Sequence, residues 1–285
     1  MSFQDLIARV GESRAFRHRA KRIPPPALGD AIRFPYGAFS FKTRLPKGTS
    51  YFIEASSDLR NWSFIAQEVS TDEAVEYVDS EAFKFGYRFY RLLAGEDVLS
   101  VNVIGYAAVT LPPGFSMIAN PFDGPTNCVA EMFKGWPEGT TLNKFDTRFF
   151  RLAENEVKFD KWTNAAETLM PGEGAIFYNP TSDYKSHSFV GDVLQGNLSV
   201  PIPGGFSIRS SLLPQPGSLE DLDFPIANGD VIHLFDRDQQ KYVLYPYEGG
   251  KWTAGVPVVS VGEAFWVAKT EPGNWTRHLN IGGQV

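Results

Sequence analysis

The segments Leu111-Pro-Pro-Gly-Phe-Ser-Met-Ile118 and Ile202-Pro-Gly-Gly-Phe-Ser-Ile-Arg209 are two versions of one stretch, placed 91 residues apart. Four further landmarks recur at an offset of 90 or 91 residues: Gly105 with Gly196, Gly139–Asp146 with Gly229–Asp236, Lys161-Trp-Thr163 with Lys251-Trp-Thr253, and Gly172-Glu173 with Gly262-Glu263. An offset that stays constant to within one residue over this length indicates one unit used twice. We therefore predict two copies of a β repeat, at residues 98–192 and 193–285.

The composition of the chain favours strands over helices. Gly (26), Pro (20), Phe (23) and Tyr (11) are abundant, as in proteins whose short strands are joined by Gly/Pro turns. Within each copy, short apolar runs such as Ala175-Ile-Phe-Tyr178 and Ala264-Phe-Trp-Val267 are separated by turn residues. We predict an all-β fold in which the duplicated unit is a β-sandwich or a barrel-like body.

Residues 31–97 show the pattern of a smaller β domain, with strand candidates about 8–12 residues apart, as in a sandwich. Glu54-Ala-Ser-Ser-Asp-Leu-Arg-Asn-Trp62, followed by Arg88-Phe-Tyr-Arg-Leu92, resembles the fibronectin type III-like modules of bacterial surface and secreted proteins. The resemblance covers under a quarter of the chain. It implies a small Ig/fibronectin-like sandwich and a surface habit, with Tyr87 as the candidate corner tyrosine, and it implies no chemistry.

The duplicated part carries a resemblance of its own. The stretches from Gly105 to Pro121 and from Gly191 to Ser211 resemble duplicated, uncharacterised β-rich modules of the same group of bacterial proteins. No activity comes with this resemblance. The N-terminal sequence shows neither the apolar region nor the cleavage-site pattern of a signal peptide, so we expect a phage-borne protein rather than ordinary secretion.

Residues 1–30 are predicted to form a basic helical arm and a Pro-rich tether. Apolar residues fall near one helix face over residues 3–20, and Pro24-Pro-Pro26 ends that helix as a stiff spacer. The net charge of residues 1–22 is near +4, so the net charge of the rest of the chain is near −10 (−6 minus +4). We expect the arm to dock on an acidic partner surface; a solvated amphipathic helix without a partner is the alternative. The residues expected to carry the docking are Phe3, Leu6, Ile7, Val10, Arg14, Arg17, Arg19 and Arg22.

The overall charge restricts the class of partner. A net charge of −6 and an isoelectric point near 5.3 argue against direct binding of nucleic acid, which requires a broad basic face. No stretch reaches the roughly 18 apolar residues of a membrane span. We expect synthesis in the cytoplasm without a signal peptide, and a final place on a virion or another particle surface.

The sequence favours no catalytic or metal site. It holds no HExxH, CxxC or P-loop pattern and no GxSxG nucleophile elbow. Asp221, Asp223 and Asp230 are interpreted as turn formers, because they supply too few oxygens for calcium. Glu173 and Glu263 recur at matching positions, which favours a fold role over the paired carboxylates of a glycosidase. We expect no enzyme, no cofactor and no metal.

Two matched tryptophans, Trp162 and Trp252, each follow a turn and a lysine. We interpret them first as core or inter-copy contacts and second as a ligand-stacking face. Because the copies share scaffold residues, a specific binding surface is expected where they differ. Candidates are Pro214–Asp223 against Phe122–Val129, and the unduplicated arm and first domain.

These observations favour a non-enzymatic structural or attachment protein of a large assembly. We expect a phage capsid decoration or virion-surface protein that docks through its arm and is oligomeric in the assembly. The alternative is a carbohydrate-binding or adhesive bacterial surface module, for which the six Trp and the fibronectin resemblance argue. In that case the partners are glycans.

Overall fold

The computed structural model describes residues 23–280 and shows a protein of antiparallel β-strands. Within this range the helical elements are a one-turn α-helix, α1 (Val129–Met132), and a 3-10 turn at Ala82–Lys84. The prediction of an all-β fold is confirmed. The helix predicted over residues 3–20 lies outside the described residues.

A sandwich of two sheets forms the first part of the molecule. The smaller sheet contains, in spatial order, β1 (Gly29–Arg33), β2 (Phe39–Arg44) and β5 (Ala74–Asp79). The larger sheet contains, in spatial order, β14 (Lys185–Asp192), β8 (Ile104–Leu111), β6 (Tyr87–Ala94), β3 (Ser50–Ser56) and β4 (Ser63–Val69), with the short β7 (Val98–Leu99) paired to β6.

Aromatic rings fill the space between these two sheets. Phe39 and Tyr90 are fully buried and stack with ring centroids 4.8 Å apart, and Tyr106 packs on Phe39 at 5.2 Å. The Tyr106 hydroxyl donates to the backbone carbonyl of Ala82. Tyr106 therefore makes the hydroxyl-to-backbone hydrogen bond that is typical of a corner tyrosine. Tyr87, the candidate for that role, packs against Phe89 on the opposite face of the sheet.

The expected boundary between residues 97 and 98 does not separate two sheets. Strand β8, from the predicted first repeat, pairs with β6 and so extends the sheet of the first domain. Gly105 permits this approach, because a Cβ there would lie 2.6 Å from the Arg88 carbonyl oxygen. Tyr90 and Tyr106 face the sandwich core, whereas Phe89 and Ala107 face a second core.

The start of the described chain also packs on the sandwich. Ile23 contacts the sandwich core, Pro26 is buried, and the Pro26 carbonyl accepts a hydrogen bond from the Val101 N–H at 2.8 Å. Residues 23–28 are thus part of the β body, and the Pro-rich segment is not a free tether.

Two five-stranded sheets follow. The first contains, in spatial order, β12 (Lys161–Trp162), β11 (Arg151–Lys158), β10 (Thr141–Asp146), β13 (Ala175–Asn179) and β9 (Gly114–Ile118). The second contains, in spatial order, β20 (Lys251–Trp252), β19 (Lys241–Glu248), β18 (Val231–Asp236), β22 (Phe265–Lys269) and β16 (Gly205–Arg209). Two short ribbons pair β15 (Gly196–Ile202) with β23 (Gly273–Leu279), and β17 (Gly217–Ser218) with β21 (Val258–Val259).

The two five-stranded sheets have the same strand order relative to the chain, and the ribbon β15–β23 corresponds to the pair β8–β14. The pairing register adds a detail that the sequence spacing does not show. Gly105 pairs with Gly191, whereas its counterpart Gly196 pairs with Leu279, so the last strands are offset by 88 residues. His187 therefore corresponds to Trp275.

A shared core joins the three parts. Under the first five-stranded sheet, Leu59 of the sandwich packs in one cluster with Leu213 and Val261 of the second repeat. Polar contacts reinforce this junction, because Gln215 donates to the Asp58 carbonyl at 3.0 Å and accepts from the Arg277 guanidinium at 2.8 Å. The described chain is therefore one connected body.

Candidate functional site

The two repeats meet through equivalent residues that exchange the same contacts. The Ala119 N–H donates to the Gly262 carbonyl at 2.9 Å, and the equivalent Ser210 N–H donates to the Gly172 carbonyl at 3.2 Å. Two bridges, Ile118 with Glu263 and Arg209 with Glu173, repeat the same exchange. Such reciprocal pairing is the property of a twofold contact, so the repeats are related by a pseudo-twofold axis.

Small and apolar residues fill the centre of this contact. Met117 and the equivalent Ile208 are both buried there, beside Ala264. The counterpart of Ala264 is Gly174, where an added Cβ would lie 2.5 Å from both the Ala264 Cβ and the Ile208 Cγ2. The absence of a side chain at position 174 therefore allows the two sheets to approach each other.

A groove of about 290 Å³ lies beside this contact, and aromatic rings from both repeats line it. Its lining residues are Phe145, Phe150, Phe206, His233, Tyr242 and Trp266. The rings stand mostly edge to face: Phe145 lies 4.8 Å from Trp266 and 5.3 Å from Phe150 between centroids. Phe150 is 67% exposed, so a large part of this aromatic surface faces solvent.

The groove carries polar edges but no charged side chain among its lining residues. The Trp266 Nε1–H donates to the Tyr242 hydroxyl at 3.1 Å. Burial raises the pKa of Tyr242 and lowers the pKa of His233, so both side chains are uncharged near neutral pH. The site can therefore offer ring faces and neutral hydrogen-bonding groups to a ligand.

The equivalent position on the other side of the pseudo-twofold axis is polar. Gln240 takes the place of Phe150, and its side chain accepts from the Phe115 N–H and donates to the Phe115 carbonyl, both at 2.8 Å. Arg237 adds a hydrogen bond to the Thr110 carbonyl at 2.9 Å. Substitution at these equivalent positions thus replaces an exposed aromatic ring by hydrogen-bonded polar side chains.

The sequence pointed to Trp162 and Trp252 as candidate stacking residues, and the structure places neither in the groove. Trp162 is buried in the core of the first repeat, with its Nε1–H directed at the Phe133 carbonyl at 3.4 Å. Trp252 is half-buried on the core of the second repeat and packs edge to face on Tyr247. The candidate docking residues Phe3, Leu6, Ile7, Val10, Arg14, Arg17, Arg19 and Arg22 lie outside the described residues.

The matched glutamates close turns. Glu173 accepts hydrogen bonds from the Met170 N–H at 2.9 Å and from Lys144 Nζ at 2.7 Å. Glu263 accepts from the Ser260 N–H at 2.8 Å, and its burial raises the pKa of its carboxyl. Each carboxylate therefore stabilises the turn that precedes β13 or β22 of its own repeat.

One of the aspartates interpreted as turn formers forms a buried ion pair. Asp230 is fully buried and contacts Lys269 Nζ, and it also accepts from the Thr270 N–H at 2.7 Å. Burial opposes ionisation of Asp230, but these hydrogen bonds outweigh it and lower the pKa of the carboxyl. Between residues 23 and 280, no group of three or more His, Cys, Asp or Glu side chains is placed to hold a metal ion.

The segments Pro214–Asp223 and Phe122–Val129, which differ between the copies, contribute buried residues such as Phe122, Leu219 and Leu222 to the cores. The groove instead depends on differences at positions 150 and 240 and at positions 176 and 266. The sequence signal was present in Phe149-Phe150 after the Asp146 turn, but its partners in the second repeat could not be identified from sequence.

Comparison of this chain with models of known protein families, with curated proteins and with solved structures finds no match. Among the residues that the structure describes, no helix is long and apolar enough to cross a membrane.

Proposed function

We propose that this protein is a non-enzymatic attachment protein of a large assembly. The basic arm faces the assembly, and the connected β body forms the outer module that meets a partner. The observation that carries this proposal is the open aromatic groove, because contiguous exposed aromatic surface marks interaction sites. The assembly that the sequence favours is a particle such as a phage capsid, with several copies of this chain on its surface.

The strand arrangement is consistent with the proposed fibronectin type III-like and duplicated β modules. One sheet of the first domain contains β1, β2 and β5. The facing sheet contains β3, β4, β6 and the short β7, and it is extended by β8 and β14. Such sandwiches carry binding surfaces on a rigid support, which suits an attachment role.

Removal of the arm tests the docking part of the proposal. The deletion should end at Arg22, since Ile23 and Pro26 pack on the β body. We expect the full chain to sediment with particles from the producing cells and the truncated chain to remain in the supernatant. Because six of the arm residues are basic, higher salt should weaken the attachment of the full chain.

Carbohydrate binding is a second candidate function, and the chemistry of the groove favours it. The C–H face of a sugar ring packs on aromatic rings, while its hydroxyls need the neutral polar groups that Tyr242 and His233 supply. A glycan array with the full chain tests this candidate. We expect Phe150→Ala to lose binding, whereas Phe149→Ala should retain it, because Phe149 is also exposed but does not line the groove.

A further inference from the structure

A second aromatic site lies on the first repeat and shares no lining residue with the groove. Trp136 stands between two adjoining depressions of about 350 and 260 Å³. Ala130, Phe133, Val157 and Trp162 form the apolar floor of the larger one. Small-molecule sites occupy roughly 300–1,000 Å³, so the cleft, which we call the Trp136 cleft, has the size of such a site.

Three lysines surround this cleft. Lys134 and Lys161 are exposed and Lys185 is half-buried. None of their ammonium groups forms an ion pair or hydrogen bond with the described residues, and Asp160 is the one carboxylate among the described lining residues. On a chain with a net charge of −6, this local excess of positive charge is complementary to an anion.

The second repeat lacks the same construction. The loop between Phe133 and Gly139 corresponds to residues 225–228, which are one residue fewer and contain neither tryptophan nor lysine. Lys251 is the counterpart of Lys161 and therefore retains the charge without the Trp136 cleft. The aromatic and cationic groups thus combine in one repeat alone, which is where a specific site is expected.

We propose that the Trp136 cleft binds an anionic sugar residue. The Trp136 indole packs on the C–H face of the ring, and the lysine ammonium groups form charge-assisted hydrogen bonds to its carboxylate or sulfate. The size of the two depressions suits one or two sugar rings and not a nucleic-acid duplex, which the acidic body would also repel. This site goes beyond the proposed function and does not depend on the groove.

Calorimetric titration of the chain with tetragalacturonate tests the proposal. The fully methyl-esterified tetramer is the control ligand, because it has the same sugar rings without the negative charges. We expect the acid to bind at least tenfold more tightly than the ester. The double variant Lys161→Gln/Lys185→Gln should raise the Kd for the acid about tenfold or more, while Lys251→Gln leaves it unchanged. A sulfated tetrasaccharide of neutral sugars distinguishes sulfate from carboxylate recognition.

Trp136→Ala should abolish binding of the acid, and the melting temperature shows whether that variant is folded. The lysine variants alter exposed or half-buried side chains and keep the test valid if Trp136→Ala unfolds. Absence of binding to both anionic tetramers, equal binding of the ester, or equal loss in Lys251→Gln would overturn the proposal. Competition by inorganic phosphate at the same concentration as the sugar would show a simple anion site and would also overturn it.

The outcome can be separated from that of the proposed function. Phe150→Ala and the chain without residues 1–22 should bind tetragalacturonate like the wild type, because Phe150 does not line the Trp136 cleft and the proposed ligand contacts use no residue before Ala130. If the wild-type chain attaches to particles but does not bind tetragalacturonate, this inference is contradicted and the proposed function is not.

Discussion

Acidification should weaken the fold through a single buried histidine. His187 is 8% exposed, stacks on Phe133 with ring centroids 4.3 Å apart, and packs against Phe189 at 4.7 Å. Its Nε2 has no hydrogen-bond partner among the described residues. Burial lowers the pKa of His187 to about 4, whereas the unfolded chain has a histidine pKa of about 6.5. The folded site therefore disfavours the charged form.

The sign and size of the effect follow from proton linkage. Between pH 6.5 and 4 the unfolded chain binds more protons at this residue, so the free energy of unfolding falls as the pH falls. The stabilisation is fully present above pH 6.5, and the difference of about 2.5 pKa units corresponds to about 3 kcal/mol lost by pH 4.

Urea unfolding followed by tryptophan fluorescence at several pH values between 7 and 4 measures this loss. The His187→Phe variant keeps an aromatic ring against Phe133 and removes the titrating group. We expect its stability to fall by about 3 kcal/mol less than that of the wild type over this range. His278→Gln is the matched control, because it replaces an exposed histidine. Equal pH dependence of His187→Phe and the wild type would refute the reasoning.

Two other substitutions test packing and charge. Lys269→Met leaves the Asp230 carboxylate buried without its ion partner, and we expect a loss of about 3–5 kcal/mol in urea unfolding; an unchanged midpoint would show that the pair is not buried. Gly174→Ala places a Cβ against Ala264 and should destabilise the protein by about 1–3 kcal/mol. Gly86→Ala, which meets no atom within 4 Å, should stay within about 0.5 kcal/mol of the wild type, and equal effects of both glycine changes would contradict the pseudo-twofold contact.

Much of the architecture could be predicted because the repeated landmarks have local physical causes. Gly172 and Gly262 both have positive φ angles, of 90° and 80°, a conformation that favours glycine. Trp162 and Trp252 both lie on the second strand of a short hairpin and pack on their own cores. Requirements of this kind act within a few residues and therefore remain visible in the sequence.

The junctions between the parts could not be predicted, because they depend on long-range pairing. The sequence of strand β8 is compatible with the first strand of a repeat and with an outer strand of the sandwich. In the structure β8 pairs with β14 of the repeat and with β6 of the sandwich. Leu59 lies within the stretch Glu54–Trp62 of the first domain, yet it is buried beside residues of the second repeat. Nothing in the local pattern around Leu59 indicates that partner.

The candidate sites show the same limit. The groove combines Phe150 of the first repeat with Phe206 and Trp266 of the second, and Phe150 meets Phe206 only across the pseudo-twofold axis. The Trp136 cleft depends on Lys185, which β14 places beside a loop almost fifty residues earlier in the chain. Residue differences between the copies do mark the candidate sites. Which of these differences line a site follows only from the strand pairing.

The most direct test of the attachment role is quantitative co-sedimentation of the 285-residue chain with particles from the cells that produce it. We predict that the protein pellets with the particles in a fixed number of copies per particle, and that the chain lacking residues 1–22 does not. If the 285-residue protein remains in the supernatant as a free 31.7 kDa chain, the proposal that it is a component of a large assembly is contradicted.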